Sequence, residues 1–174
     1  GEEIKGKYPI KHIMEELLEH NIVGVANGKA EFGPRALGNR SLFANPTGQE
    51  MKDLVNKIKQ RQEFRPFAPV ILEEDVHKHF YVEKGFSSPY MQYIVKAKDR
   101  EMYPAIVHKD GTSRVQTVTR KQHSGLYRLL KQWKKHTGIP MLLNTSLNIK
   151  GEPMVNNRKD ADLFQKKYGV KVVS

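Results

Sequence analysis

Apolar positions along the chain switch repeatedly between helical and strand-like spacing. Ile10, Ile13, Met14, Leu17 and Leu18 recur at helical intervals and predict an amphipathic helix over roughly residues 9–20. Ile22 to Ala26 is a short apolar run of buried-strand length, followed by a turn rich in glycine and arginine. Ser41 to Ala44 reads as a strand stopped by Asn45-Pro46, and Thr47-Gly-Gln-Glu50 has the form of a capping box. The helix it opens carries Met51, Leu54, Val55 and Ile58 on one face, with Lys57, Lys59 and Arg61 near its exit. Pro66 and Pro69 bracket an extended segment that runs into Val70-Ile-Leu72. Glu73 to Phe80 reads as a short helix, Lys84 to Pro89 as a polar loop, and Tyr90 to Ala97 as a strand.

Ala105 to His108 and Thr112 to Val118, joined by Lys109-Asp-Gly111, predict a hairpin. Ser124 opens a helix through Leu126, Leu129, Leu130 and Trp133 that Gly138 closes. Met141 to Leu143 is an apolar strand leading into Asn144-Thr-Ser-Leu-Asn148. Asn157 caps a last helix bearing Leu163 and Phe164, and Val170 to Val173 ends the chain as a strand. Helices and strands are thus mixed, and a hairpin interrupts simple alternation. The expected class is α+β: one mixed, twisted sheet with helices packed on it. The 174 residues suffice for one domain with a real core, without linker, repeat or low-complexity segment.

There are no cysteines, which excludes disulfides and cysteine-bound metal and suits a reducing compartment. No apolar run approaches the roughly 20 residues of a membrane span, and no secretory signal opens the chain. The expectation is a soluble, cytoplasmic protein with no membrane partner. The formal charge is +11, from 30 Lys and Arg against 19 Asp and Glu. Such an excess attracts polyanions, nucleic acid among them. Many lysines, Lys131, Lys134, Lys135, Lys166 and Lys167 among them, follow helical faces, where solvated charge is the default. The arginines gather instead in turn-rich motifs, which favours a small anionic ligand and leaves nucleic acid a weak, non-specific partner. His77 and His79 cannot share a helical face, and no His/Asp/Glu spacing reads as a zinc or iron site. Neither a Gly-Lys-Ser/Thr phosphate loop nor a Gly-x-Gly-x-x-Gly helix start is present.

The stretch Gly28-Lys-Ala-Glu-Phe-Gly-Pro-Arg-Ala-Leu-Gly-Asn-Arg-Ser41 sets Arg35 and Arg40 among glycines, where backbone can approach a ligand and forked donors suit phosphate. On composition alone the reading slightly preferred is a surface turn with solvated basic residues. Its part Glu31 to Ser41 resembles the signature of the carbamoyltransferase C-terminal domain. That is the YrdC-like portion of O-carbamoyltransferases of antibiotic and nodulation-factor biosynthesis. Three later segments resemble the same family in the same order: Lys57-Ile-Lys-Gln-Arg-Gln-Glu-Phe-Arg-Pro-Phe-Ala-Pro69, His108-Lys-Asp-Gly-Thr-Ser-Arg-Val-Gln116 and Leu142-Leu-Asn-Thr-Ser-Leu-Asn-Ile-Lys-Gly-Glu-Pro153. Lys59-x-Arg61 and Ser146-x-Asn148 fit the short fingerprint of YrdC-like domains. The sequence departs from the family at Asn27-Gly-Lys29, where Gln-Gly-Arg is more usual; lysine keeps the charge and loses the fork.

The resemblance implies a transferase that joins carbamoyl phosphate and ATP, with Mg2+ arriving on the nucleotide, into carbamoyl-adenylate, releasing phosphate and pyrophosphate. A larger actin-like ATPase-fold half, N-terminal in the full enzymes and absent here, would pass the carbamoyl group to a hydroxyl acceptor. The chain opens at Gly1 as an excised domain would, and a last family strand is expected to be trimmed. Lys59, Arg65 and Arg114 are the implied catalytic charges. Arg35, Arg40, Arg61, His108, Asn144, Ser146 and Asn148 would bind ATP and carbamoyl phosphate. Arg65 precedes Pro66, which biases it to an extended backbone.

Each candidate also has a plainer reading. Lys57 and Lys59 fit a solvated helix end, Arg114 a pair with Asp110 across the hairpin, Asn144 and Asn148 ordinary turn residues, and His108 a hairpin cap. A basic nucleic-acid-binding module without catalysis is the rival function, and a degenerate docking domain a third. The presence of both signature arginines, Lys59-x-Arg61 and Ser146-x-Asn148 argues against the degenerate version.

Overall fold

The computed structural model describes residues 2–31, 35–60, 66–148 and 152–174. Among the described residues the α-helices are α1 (Ile10–His20), α2 (Gln49–Lys59), α3 (Val76–His79), α4 (Ser124–Thr137) and α5 (Arg158–Tyr168). Seven strands form β1 (Ile22–Ala26), β2 (Arg40–Ala44), β3 (Ala68–Leu72), β4 (Tyr93–Lys96), β5 (Thr112–Val118), β6 (Met141–Ser146) and β7 (Val172–Val173). They make one mixed sheet in the order β4-β5-β3-β6-β2-β1-β7. β3 is parallel to β5 and antiparallel to β6; β2 is antiparallel to both β1 and β6.

The sheet is buried on both faces except at the exposed edge strand β4, and alternate residues of the central strands feed two separate cores. On one face Ile13, Met14 and Leu17 of α1 and Leu126, Leu129, Leu130 and Trp133 of α4 pack over Val23, Val25, Phe43, Val70 and Leu142. On the other, Met51 and Val55 of α2 and Ala161 and Phe164 of α5 pack over Leu42, Ile71, Met141 and Leu143. Each fully buried Leu, Ile or Phe contributes about 1.5–3 kcal/mol, which orders strands that local propensity would leave ambiguous. α1 and α4 end in left-handed caps at Asn21 and Gly138. α5 is capped by Asn157, whose side chain accepts from the Asp160 amide.

Three local expectations are corrected. Ala105 to His108 forms no strand: β5 takes its ladder partners from β4, along Thr112–Val115, and from β3, along Gln116–Val118. Residues 105–107 are instead buried in the second core, and only the turn survives, with Gly111 N–H donating to His108 O (2.9 Å) and His108 N–H to Thr112 O (2.7 Å). The capping box is not made. Gly48 is the N-cap at φ +86°, and Thr47 Oγ1 turns back to Asn45 Oδ1 (2.7 Å). Asn144 is no turn residue; it lies within β6 and is buried, because β2 and β3 pair along both edges of that strand.

Candidate active site

The site forms where the C-terminal end of β6 meets the N-terminal ends of β3 and β5. Strand alternation puts Arg114 and Gln116 on the face that carries Val118, and Asn144 and Ser146 on the face that carries Leu142. This is the α1/α4 face, but the strands run on past those helices. The exposed end of the face is roofed by residues 35–39. Asn144 Nδ2 donates to Ala36 O (3.0 Å) and to Gln116 Oε1 (2.8 Å), and Gln116 Nε2 donates to Leu37 O (3.2 Å).

Between roof and strand ends lies a cavity of about 280 Å3. Arg35, His108, Arg114, Asn144, Thr145 and Ser146 line it together with Pro66, Phe67 and Met91. No carboxylate lines it among the described residues, so two guanidinium groups dominate its field. A larger groove of about 840 Å3, lined by Glu73, Glu74 and Glu83 as well as Lys84, Lys98 and Arg120, lies elsewhere and gathers none of the sequence candidates.

Arg114 comes from the middle of β5 and donates to Met91 O (3.3 Å). Met91 is buried with φ +56°, a left-handed conformation that costs a non-glycine residue about 1–2 kcal/mol. The carbonyl that receives Arg114 is therefore presented by strained backbone. Asp110 does not pair with Arg114. Its carboxylate accepts from the amide (3.0 Å) and hydroxyl (2.7 Å) of Thr112 and is held low by these bonds.

Lys59 and Ser146-x-Asn148 meet behind the cavity wall. The Lys59 ammonium donates to Ser146 O (2.6 Å) and Oγ (3.0 Å), and to Asn148 O (2.6 Å) and Oδ1 (2.9 Å). Ser146 Oγ donates to Asn148 Oδ1 (2.5 Å). Lys59 is buried, whereas Lys57 on the same helix is exposed; the solvated-end reading holds for Lys57 alone.

The structure thus brings Arg35, His108, Arg114, Asn144 and Ser146 to one cavity, with Lys59 and Asn148 tied to Ser146. Arg61 and Arg65 lie outside the described residues. Arg40 does not join them. Its guanidinium is wholly buried and donates to the carbonyls of Glu2, Asn27, Gly28, Asn39 and Asn156. Burial lowers its pKa and the Glu31 carboxylate raises it in part. Its signature position serves the framework: a buried cation joins the chain start, β1, β2 and the segment before α5.

Glu31, Asn39, Gln116 and His123 were not singled out from the sequence, yet they shape the roof. Glu31 Oε1 accepts from the amides of Leu37 (3.2 Å) and Asn39 (2.5 Å). Isolated polar residues carry no period or motif; of the four, Glu31, Asn39 and Gln116 fall inside the recognised segments, and only that placement could have flagged them.

Fold and site together describe an arginine-lined pocket at a sheet end of a YrdC-like domain. The family described as carbamoyltransferase C-terminus matches residues 14–173, and the chain belongs to it. It is 43% identical over 144 residues to nodulation protein NolO of Bradyrhizobium diazoefficiens, covering 80% of this chain and 26% of that protein. It is 38% identical over 164 residues to the 3'-hydroxymethylcephem-O-carbamoyltransferase of Amycolatopsis lactamdurans, covering 93% and 31%. The chain therefore spans only a minor part of these relatives. Among solved structures, full-length HypF in its phosphate- and nucleotide-bound form superposes with a TM-score of 0.65 at 20% identity, over 94% of this chain and 24% of HypF. Escherichia coli YciO superposes with a TM-score of 0.64 at 13% identity, over 98% and 79%. These likenesses establish the YrdC-like fold of a carbamoyltransferase C-terminal domain.

No described helix is long and apolar enough to cross a membrane. Among the described residues no cluster of three or more His, Asp or Glu is arranged to hold a metal.

Proposed function

We propose that this domain binds ATP and carbamoyl phosphate in the Arg35–Arg114 cavity and forms carbamoyl-adenylate there. A partner half, the N-terminal portion of a longer transferase, would then move the carbamoyl group to a hydroxyl acceptor. The observation that carries this is the cavity itself: two arginines, a histidine and a serine converge on a pocket with no lining carboxylate among the described residues, in a chain of the carbamoyltransferase family.

Water first cleaves carbamoyl phosphate to carbamate and phosphate. A carbamate oxygen then attacks the α-phosphorus of ATP; the new O–P bond forms as the bond to the β-phosphate breaks, and the electron pair leaves on pyrophosphate. Little covalent work is asked of the protein. It must hold two polyanions in line and stabilise the charge that grows on the leaving group. Arg114, anchored on a strand and aimed by the Met91 carbonyl, is the group fitted to that charge. Arg35 closes on the phosphates from the roof, and the family resemblance assigns Arg61 and Arg65 to the same anions. His108 and Ser146 supply hydrogen-bonding contacts to the substrates. Mg2+ would enter on the nucleotide phosphates.

Lys59 has a different part. All four of its bonds given above go to Ser146 and Asn148, so its charge fixes the turn that presents Ser146. Isothermal titration of ATP and magnesium into the chain tests the binding step. Affinity that falls with salt supports it, and no heat at millimolar ATP counts against it.

A further inference from the structure

Each residue from 36 to 39 has its backbone tied to a side chain from elsewhere, and the Asn39 carbonyl also accepts from the Asn27 amide (2.9 Å). Asn144 and Gln116 hold the carbonyls of Ala36 and Leu37, and Glu31 holds the amides of Leu37 and Asn39. Tyr8 Oη donates to Gly38 O (2.7 Å). The remaining tie is His123, at the N-cap of α4.

The proton positions of His123 follow from its neighbours. Leu126 N–H can only donate, and it points at Nδ1 (3.0 Å), so Nδ1 carries no proton. The neutral ring then carries its proton on Nε2 and donates it to Asn39 Oδ1 (2.9 Å). The orientation of the Asn39 amide is set independently, because Nδ2 donates to Lys29 O (2.8 Å). Tyr8 stacks edge-on against the imidazole with ring centroids 4.9 Å apart. Gly38 is needed where the two meet: at φ +129° a Cβ would lie 3.2 Å from His123 Nε2 and 3.0 Å from Leu126 Cδ2.

We propose that His123 is a positioning residue for Arg35: by donating to Asn39 from a fixed tautomer it locks the roof backbone and so holds the Arg35 guanidinium over the anion pocket. The inference rests on the reading of that pocket given above. His123 touches no reacting atom. It acts through Asn39 and the braced segment 36–39, which joins Arg35 directly.

Two variants separate this role from simple capping of α4. His123→Asn keeps an N-cap acceptor for Leu126 and gives up the reach to Asn39. Asn39→Ala removes the acceptor from the other side and leaves the cap untouched. Both should hold a melting temperature close to that of wild type. Each should speed amide exchange at Leu37 and Asn39, and weaken ATP, roughly fivefold to tenfold, the worth of one ordinary hydrogen bond. The double variant should add little to either single one. Wild-type exchange at both amides in the two variants overturns the proposal, as does faster exchange with undiminished ATP affinity. A wild-type chain that binds no ATP sinks the reading of the pocket instead; the exchange contrast still decides whether His123 locks the roof.

Discussion

Lys59 and Ser146 stand 87 positions apart in sequence and 3.0 Å apart in space, ammonium to hydroxyl. The contact joins the last residue of α2 to the last residue of β6, and with them the two short fingerprints of the YrdC-like domain. Replacing Lys59 by Met removes a buried donor from under two carbonyls and two side-chain oxygens. Leaving such acceptors unmet costs about 2–3 kcal/mol. Denaturant unfolding should show that loss, with saturating turnover reduced less than in Arg114→Ala. A stable Lys59→Met chain with turnover abolished would return Lys59 to direct catalysis.

The two arginines of the signature should respond oppositely to substitution. Arg35 is exposed on the roof, so Arg35→Met should change stability by under about 0.5 kcal/mol while weakening ATP and flattening its salt dependence. Arg40 is wholly buried on five backbone carbonyls. Arg40→Met should cost about 3 kcal/mol or more, since several buried acceptors lose their donor at once. Parallel thermal melts and ATP titrations distinguish the pair. A destabilised Arg35 variant and an unperturbed Arg40 variant would reverse the assignment.

Gly125 lies in α4 against Tyr8, and a Cβ there would sit 2.5 Å from Tyr8 Cβ and Cγ. Gly125→Ala gains about 1 kcal/mol of helix propensity and loses about 3 kcal/mol to overpacking against a side-chain root that cannot swing away. The net is a destabilisation of about 2 kcal/mol. Because Tyr8 also holds Gly38, the variant should bind ATP more weakly too. A higher melting temperature would show that the α4–Tyr8 contact relaxes freely.

Burial lowers the imidazole pKa of both His123 and His79, the latter against partial support from Asp75. The unfolded chain therefore takes up these protons first. Stability is fully present above the ordinary imidazole value of about 6.5 and is lost as pH falls from there through the lower folded values. Burial also pushes the Asp75 carboxyl up, but hydrogen bonds from Lys134 and Lys78 outweigh it and hold it low, adding a second loss at more acid pH. Melting temperature should drop between about pH 7 and about pH 5. A melting temperature that rises over that window contradicts these environments.

Helices and most strands were legible because their apolar period matches what each buries. Ile10, Ile13, Met14 and Leu17 predict α1 within a residue or two, and Ile22 to Ala26 coincides with β1. The hairpin at 105–118 failed because parallel pairing of Val70 with Gln116 spans 46 positions and leaves no local trace. Hydrogen bonding along both edges of β6 likewise overrode the turn preference of Asn144. At the site, motif resemblance pointed to Arg35, Arg114 and Ser146. It could not tell them from Arg40, since charge is written in sequence and burial is a property of the packed whole. His123 lies outside every recognised segment. Its part depends on Tyr8, Asn39 and Leu126 arriving from three directions.

The most direct test of the proposed adenylation site is exchange of labelled pyrophosphate into ATP, driven by carbamoyl phosphate, in wild type and Arg114→Ala with the partner half supplied. If Arg114 meets charge that develops only as pyrophosphate leaves, the loss falls on turnover more than on ATP affinity. The expected result is carbamoyl-phosphate-dependent exchange in wild type and a fall of about a hundredfold or more at saturating ATP in the variant. Exchange at the wild-type rate in Arg114→Ala, or none in wild type, would contradict an adenylation site in this cavity.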